Sequence, residues 1–293
     1  MEQGLVDTSK YKVSLVSIDT RFATQKNAVN STFRVVLPFT MRNVMRVRMA
    51  SLELPLVEHV FSSYKGNVSF EVRLSYDKIT TKIGPIPDGN YTVGQLCGVL
   101  EGLLKGVDAR FTCAYEPVSG RIMVKNTGTL FRMYMSSDKS AVAERATHWG
   151  LGYYMGFRER EIASVHVDGM YTAVAYAPPS LKPTPYYLMQ VKCPEQAVNL
   201  YHPGVGPAYI EAFAKVILKD DYYTTQFDDN SNLLRKEYTF LSPTAVPFFE
   251  VTLLDPWGVP VNMMDADWSL TLEVTEVVNS KTYDSLLTTY QRR

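Results

Sequence analysis

Strict alternation of apolar and polar residues is the dominant pattern in the chain. Residues 68–76 place an apolar side chain at every second position: Val68, Phe70, Val72, Leu74 and Tyr76. A period of two is typical of a β-strand that buries one face and exposes the other. The same alternation recurs over 33–39, 45–49 and 268–274. Clusters of Gly, Pro, Asn and Asp separate such runs, and we predict about eleven strands in all.

Helical periodicity is scarce by comparison. The best case begins at Thr92, whose spacing to Gln95 is that of a capping box. An apolar stripe at helical spacing follows, formed by Val93, Leu96, Cys97, Leu100, Leu103 and Leu104. Gly106 is expected to end this helix in a left-handed cap. A second short helix is predicted over 140–149.

A β-hairpin is predicted between these two helices. Its arms are 111–115 and 122–125, and the turn at 116–120 contains Pro117 and Gly120. A further strand is expected over 130–135. Residues 91–157 are therefore predicted to form a compact helix–hairpin–helix segment inserted into a larger β-domain.

Residues 177–232 are predicted to consist mainly of loops. Proline breaks strands and fixes loops, and this region contains Pro178, Pro179, Pro183, Pro185, Pro194, Pro203 and Pro207. The polar stretch 220–232 is expected to form a long exposed loop. Long strands near both ends of the chain favour a single all-β domain over 1–293, in which distant segments pair in a β-sandwich.

Composition narrows the possible functions. Lys+Arg and Asp+Glu each number 30, so the chain has no general electrostatic footprint for nucleic acid and offers little repulsion between copies. The 19 Tyr and 13 Phe favour strands and also protein interfaces. No apolar run reaches membrane-spanning length. Cys97, Cys113 and Cys193 show no disulfide or zinc spacing, and we expect reduced core thiols in a cytosolically assembled protein.

No catalytic, cofactor-binding or metal-binding residue is predicted. The four histidines are scattered, and the sequence contains no HExxH, no GxSxG elbow and no phosphate-binding glycine loop. We therefore expect a protein that is not an enzyme and has no cofactor.

Contact with other proteins is the remaining candidate chemistry. Arg46 and Arg48 share one face of a predicted strand, which favours a solvated face or an inter-subunit salt bridge over a nucleic-acid site. Tyr222, Tyr223 and Phe227 lie in the polar stretch and are suited to adaptable contacts. These five residues are the candidate interface.

Four groups of segments together resemble a known family. They are 86–93; 111–115 with 119–124; 149–153 with 155–157; and 249–258 with 267–274. Each is weak alone, but their order and spacing resemble the penton and minor capsid proteins of the nucleocytoplasmic large double-stranded DNA viruses, the giant viruses. The resemblance spans roughly residues 30 to 280.

The resemblance implies a single jelly roll with inserted segments and a structural role in the virion capsid. A penton protein of this family forms a homopentamer that closes a five-fold vertex and contacts major capsid protein trimers and minor capsid proteins. No direct nucleic-acid contact and no membrane span are implied. The chain is too short for the double-jelly-roll major capsid protein.

Three alternatives stay open beside the penton interpretation. The first is a minor capsid protein that cements major capsid trimers. The second is a β-sandwich attachment protein that binds a glycan or receptor. The third is a cupin-like jelly-roll enzyme, which the missing histidine cluster disfavours.

Overall fold

The computed structural model describes residues 11–77, 79–135, 150–182, 184–194, 199–201, 210–228 and 236–278. The chain divides into two compact units. Unit 1 comprises Met1–Glu58 and Thr184–Arg293, and unit 2 comprises His59–Pro183. Unit 2 is thus one continuous insertion in the sequence of unit 1, and the predicted segment 91–157 lies within it.

The described elements are mostly short strands, with two helices. In chain order they are β1 (Tyr11–Asp19), β2 (Gln25–Lys26), β3 (Thr32–Pro55), β4 (Phe70–Leu74), β5 (Thr81–Ile83), α1 (Val93–Lys105), β6 (Phe111–Glu116), β7 (Arg121–Asn126), β8 (Phe131–Tyr134), α2 (Leu151–Met155), β9 (Glu161–Ala163), β10 (Val165–Val167), β11 (Met170–Val174), β12 (Tyr186–Lys192), β13 (Asn199–Tyr201), β14 (Ile210–Ala212), β15 (Ala214–Ile217), β16 (Thr225–Asp228), β17 (Glu237–Leu254) and β18 (Ser269–Val277).

Unit 1 is organised by the two longest strands, β3 and β17. They pair antiparallel from Thr32↔Thr252 at one end to Arg48↔Glu237 at the other, and the register shifts three times between Thr239 and Phe248. Register shifts of this kind bend a strand. Beyond β17 the sheet continues with β12 and β15. Beyond β3 it continues with β18 and β1. The result is a curled antiparallel sheet around one core.

The core of unit 1 joins residues from both halves of this sheet. The Phe33 ring on β3 packs edge-on against Trp268, just before β18, with a centroid separation of 4.8 Å. The Trp268 indole N–H donates to the carbonyl of Asn30 at 2.9 Å, so its one polar atom is satisfied in the interior. On β18, Leu270, Leu272 and Val274 are buried, in agreement with the predicted alternation.

The prediction of a β fold built from antiparallel sheets is confirmed, and the jelly-roll topology stays a prediction. The prediction that 177–232 consists mainly of loops is wrong, because β12, β15 and β16 pair within the main sheet. The prolines flank β12 rather than interrupt it, at Pro185 and Pro194. On β16 the inward-facing residues are Gln226 and Asp228, so the apolar signal of a buried strand face is missing.

A buried hydrogen bond joins the two points of unit 1 between which unit 2 is inserted. The Tyr187 hydroxyl donates to Glu58 Oε2 at 3.0 Å, and both residues are buried. Burial and the nearby Glu58 carboxylate raise the pKa of Tyr187 well above its usual value. The phenol therefore stays protonated and keeps its role as donor.

Unit 2 contains two four-stranded antiparallel sheets, β10-β11-β7-β6 and β5-β4-β8-β9, together with α1 and α2. The predicted hairpin is confirmed, with Phe111↔Asn126 and Glu116↔Arg121 as its end pairs. The capping box at the start of α1 is also confirmed, since the Gln95 N–H donates to Thr92 Oγ1 at 3.3 Å. The helix predicted over 140–149 lies outside the described residues.

Two local predictions for unit 2 are wrong. Gly106 has φ −64° and continues the right-handed conformation, and its N–H is directed at the carbonyls of Leu103 and Leu104. Tyr76 is 67% exposed, because β4 ends at Leu74 and a turn follows. The left-handed cap occurs at Gly156 after α2, where φ is +96° and an added Cβ would lie 2.0 Å from the Ala177 carbonyl oxygen.

The Asp108 carboxylate generates a prediction for acid stability. It accepts hydrogen bonds from the Arg110 side chain at 2.7 and 2.9 Å and from Asn126 Nδ2 at 3.2 Å. These bonds, chiefly those from Arg110, lower the pKa of Asp108 to about 2. A folded-state pKa below the unfolded value means that the stabilisation is full above the unfolded pKa, roughly pH 4, and disappears as the pH falls towards 2.

We expect Asp108→Asn to lower the urea midpoint of unfolding at pH 7, with a gap to the wild type that narrows between pH 4 and pH 2. Urea titrations followed by fluorescence at several pH values measure this gap. Arg110→Gln removes the main donor and should weaken the pH dependence. A gap that is as large at pH 2 as at pH 7 would contradict the assignment.

Candidate assembly interface

The outward side chains of β1, β18, β3 and β17 form two cross-strand rows. In the first row Leu15 lies beside Glu273, which lies beside Arg48, which lies beside Glu237. In the second row the order is Val13, Thr275, Arg46 and Thr239. The antiparallel register therefore places Arg48 between two glutamates and Arg46 between two threonines in the middle of the face, with aliphatic side chains at the β1 edge.

The two predicted arginines lie in this network. Arg46 Nη2 is 3.3 Å from Glu273 Oε1, and Arg46 Nη1 is 3.9 Å from Glu237 Oε2. Arg48 lies in register between the same two glutamates. Exposed pairs of this kind contribute about 0–1 kcal/mol each. The charges of this row are thus balanced within the chain, and the predicted inter-subunit role of Arg46 and Arg48 stays a prediction.

The three predicted aromatic residues lie on β16 or in the turn that precedes it. Phe227 faces outward from β16 and is 70% exposed. Tyr223 is 67% exposed, and its ring centroid is 6.3 Å from that of Tyr222. The Tyr223 N–H donates to the Leu56 carbonyl at 2.8 Å, which fixes the turn before β16 to the end of β3. These aromatic side chains are therefore held in place on the surface. We name Tyr223 and Phe227 the β16 patch.

A second exposed apolar patch was not predicted from the sequence. On β1, Val13 is 57% and Leu15 is 67% exposed, and Phe22 in the following short 3-10 turn is 77% exposed. We name Val13 and Leu15, which share one face of the strand, the β1 patch. The available signal was that Val13 and Leu15 lie on one face of the strand while Val16 and Ile18 lie on the other. A strand that is apolar on both faces, with a single described neighbour, indicates a contact surface.

A buried ion pair supports the position of β16. Lys236 Nζ, just before β17, pairs with Asp228 at the end of β16, and the two side chains are 2% and 4% exposed. The Met49 N–H donates to the Lys236 carbonyl at 2.9 Å, so the same residue is also fixed to β3. The pair thus connects β16, and with it Phe227, to the interior of unit 1.

Neither a metal-binding group nor a membrane-spanning helix is found among the described residues. Within the described ranges, no group of three or more His, Cys, Asp or Glu residues is arranged to hold a metal ion. None of the helices in the described part of the chain is long and apolar enough to cross a bilayer. The expectations of no catalytic residue and no cofactor stay predictions.

Comparisons with known proteins gave structural likenesses alone. No family model matches the chain, and no curated protein matches it. The crystal structure of the selenomethionine-labelled mavirus penton protein is similar, with 11% identity, a TM-score of 0.48, and coverage of 90% of this chain and 99% of that chain. The cryo-EM structure of the Sputnik virophage matches with 9% identity, a TM-score of 0.33, and coverage of 91% and 98%. At such low identities and TM-scores, a likeness does not by itself fix a chain's function.

The Lys236–Asp228 pair generates a stability prediction. Lys236→Ala leaves the Asp228 carboxylate buried without this cation, and we expect the free energy of unfolding to fall by about 3–5 kcal/mol. Chemical denaturation measures this change. The double variant Lys236→Met, Asp228→Leu removes both charges and should recover most of the loss. Equal losses in the single and double variants would contradict an electrostatic origin.

Proposed function

We propose that this chain is a structural subunit of an icosahedral viral capsid, and that it is the penton protein whose homopentamer closes the five-fold vertices of the virion. The motifs shared with penton and minor capsid proteins support the capsid role. The number five comes from the resemblance. The observation that supports a ring is that one face of the sheet has two different exposed apolar patches, one on β1 and the other at β16.

The register shows that the two patches are separated across the strands of the sheet. Near its end, β3 pairs with β18 along one edge, as in Glu53↔Ser269, and with β16 along the other, as in Glu53↔Phe227. Since β1 lies beyond β18, the strand order across this part of the sheet is β1, β18, β3, β16. Three inter-strand spacings separate β1 from β16, about 14 Å.

Two unlike patches that are separated across the sheet are compatible with a cyclic assembly of identical chains. In a cyclic assembly each copy presents one surface to the copy before it and a different surface to the copy after it. The β1 patch is aliphatic and the β16 patch is aromatic, so contact between copies would bury Val13 and Leu15 against Phe227 and Tyr223. Full burial of each such side chain contributes about 1.5–3 kcal/mol, from which the cost of association is subtracted.

The charges of this face are compatible with such a contact. The arginine–glutamate row between the patches is balanced within each chain, and the whole chain has a formal net charge of zero. Copies therefore approach without strong mutual repulsion. Specificity then depends on the shape of the apolar patches and on the register of the charged rows.

The mass of the assembly tests the proposal. Native mass spectrometry over a concentration series is expected to show a discrete pentamer of the 33.1 kDa chain. Discrete dimers with no larger species would contradict the pentamer. A monomer at every concentration would do the same, and would favour a minor capsid protein that cements other subunits.

Two variants test the contact itself. Leu15→Glu and Phe227→Glu each place a carboxylate in one patch, and each should yield a monomer whose circular dichroism spectrum matches that of the wild type. Val118 is 96% exposed in the β6–β7 turn of unit 2, so Val118→Glu is the matched control and should remain pentameric.

Mixing the two variants distinguishes a ring from a two-fold dimer. One intact patch remains on each variant, so an equimolar mixture should form heterodimers but no ring. If two identical β1 patches met across a two-fold axis, Phe227→Glu would dimerise by itself, and the proposed head-to-tail contact would be wrong.

A further inference from the structure

Two of the three cysteines are neighbours in unit 2. Cys97 lies on α1 and Cys113 on β6, and each is 5% exposed. The Cys113 N–H donates to Glu101 Oε2 at 3.0 Å. Residues four apart share one face of a helix, so Glu101 and Cys97 lie on the same side of α1, one turn apart. The hydrogen bond of Glu101 therefore places this side of the helix against β6 at Cys113.

Both thiols are buried where α1 packs against β6. The hydrogen bond between their side chains lowers the pKa of Cys97 and raises the pKa of Cys113, which burial raises further. Cys97 is thus the thiol of the pair that ionises more readily, and the thiolate is the form that attacks a disulfide. The third cysteine, Cys193, lies just after β12 in unit 1 and is also buried.

We propose that Cys97 and Cys113 are a modification site at which a low-molecular-weight disulfide generates an intramolecular disulfide bond. The Cys97 thiolate attacks the oxidant, whose sulfur–sulfur bond breaks, and a first small thiol leaves. The Cys113 thiolate then attacks the sulfur of Cys97 in the mixed disulfide, and a second small thiol leaves. The two protein thiols lose two electrons and two protons, and the oxidant becomes two thiols.

The bond would link α1 covalently to the sheet that it covers. It closes a short loop from residue 97 to residue 113, and such a closure stabilises a fold mainly by restricting the unfolded chain. The cytosol keeps thiols reduced and the extracellular space permits disulfides, so the bond would be open during synthesis and would close outside the cell. This inference does not depend on the proposed function, because it concerns two residues inside unit 2.

Thiol counting on the full chain tests the proposal. The purified protein is incubated with oxidised glutathione, denatured, and alkylated with iodoacetamide. We expect three alkylated cysteines before oxidation and one afterwards, with a mass decrease of two hydrogens and no retained glutathione. Lys105 and Arg110 separate the two cysteines, so trypsin should release a disulfide-linked pair of peptides, 83–105 with 111–121. The oxidised protein should melt about 5 °C higher.

Three variants control for other outcomes. Cys193→Ser should lose both remaining thiols on oxidation, whereas Cys97→Ser should form no intramolecular bond. Thr92→Ala removes the cap of α1 and should accelerate oxidation without changing the end product, because the buried thiols react through local opening of the helix. Three alkylated thiols at every oxidant concentration, in both the wild type and Thr92→Ala, would overturn the proposal. A stable glutathione adduct on one cysteine would overturn it as well.

Discussion

The pairing of β3 with β17 is the constraint on which unit 1 depends. Backbone N–H and C=O groups that are removed from water must find partners, and these two strands pair with each other over residues 32–48 of β3 and 237–252 of β17. Every other strand of the main sheet joins this pair directly or through one neighbour. Because the register shifts between Thr239 and Phe248 bend the pair, its two halves enclose the core rather than form a flat surface.

Polar groups enter the interior of unit 1 at β16. At β16 the inner face presents Gln226 and Asp228 instead of apolar side chains, and Lys236 compensates the buried carboxylate. On the outer face of the same sheet, apolar side chains face solvent: Leu15 on β1 and Phe227 on β16. Polar residues turned inward and apolar residues turned outward are what an isolated domain would avoid, and the proposed assembly would give the outward ones a physical role.

Sequence pattern predicted those parts of the molecule in which local and tertiary preferences agree. The alternation of β18, the capping box of α1 and the β6–β7 hairpin each follow from neighbouring residues alone, and each is present. The failures arise where tertiary context decides. The β16 strand exists because it pairs with β3, a segment about 170 residues earlier, and its burial pattern is polar. Likewise, Leu15 is exposed because none of the described segments covers it, which no local pattern reports.

The buried bond between Tyr187 and Glu58 has a consequence for how this chain can change over time. This hydrogen bond holds the two chain segments that flank unit 2 close together inside unit 1, whatever sequence connects them. Segments whose ends are fixed close together can lengthen, shorten or be exchanged with little effect on their host. The length and sequence of unit 2 can therefore change without opening unit 1 at this point.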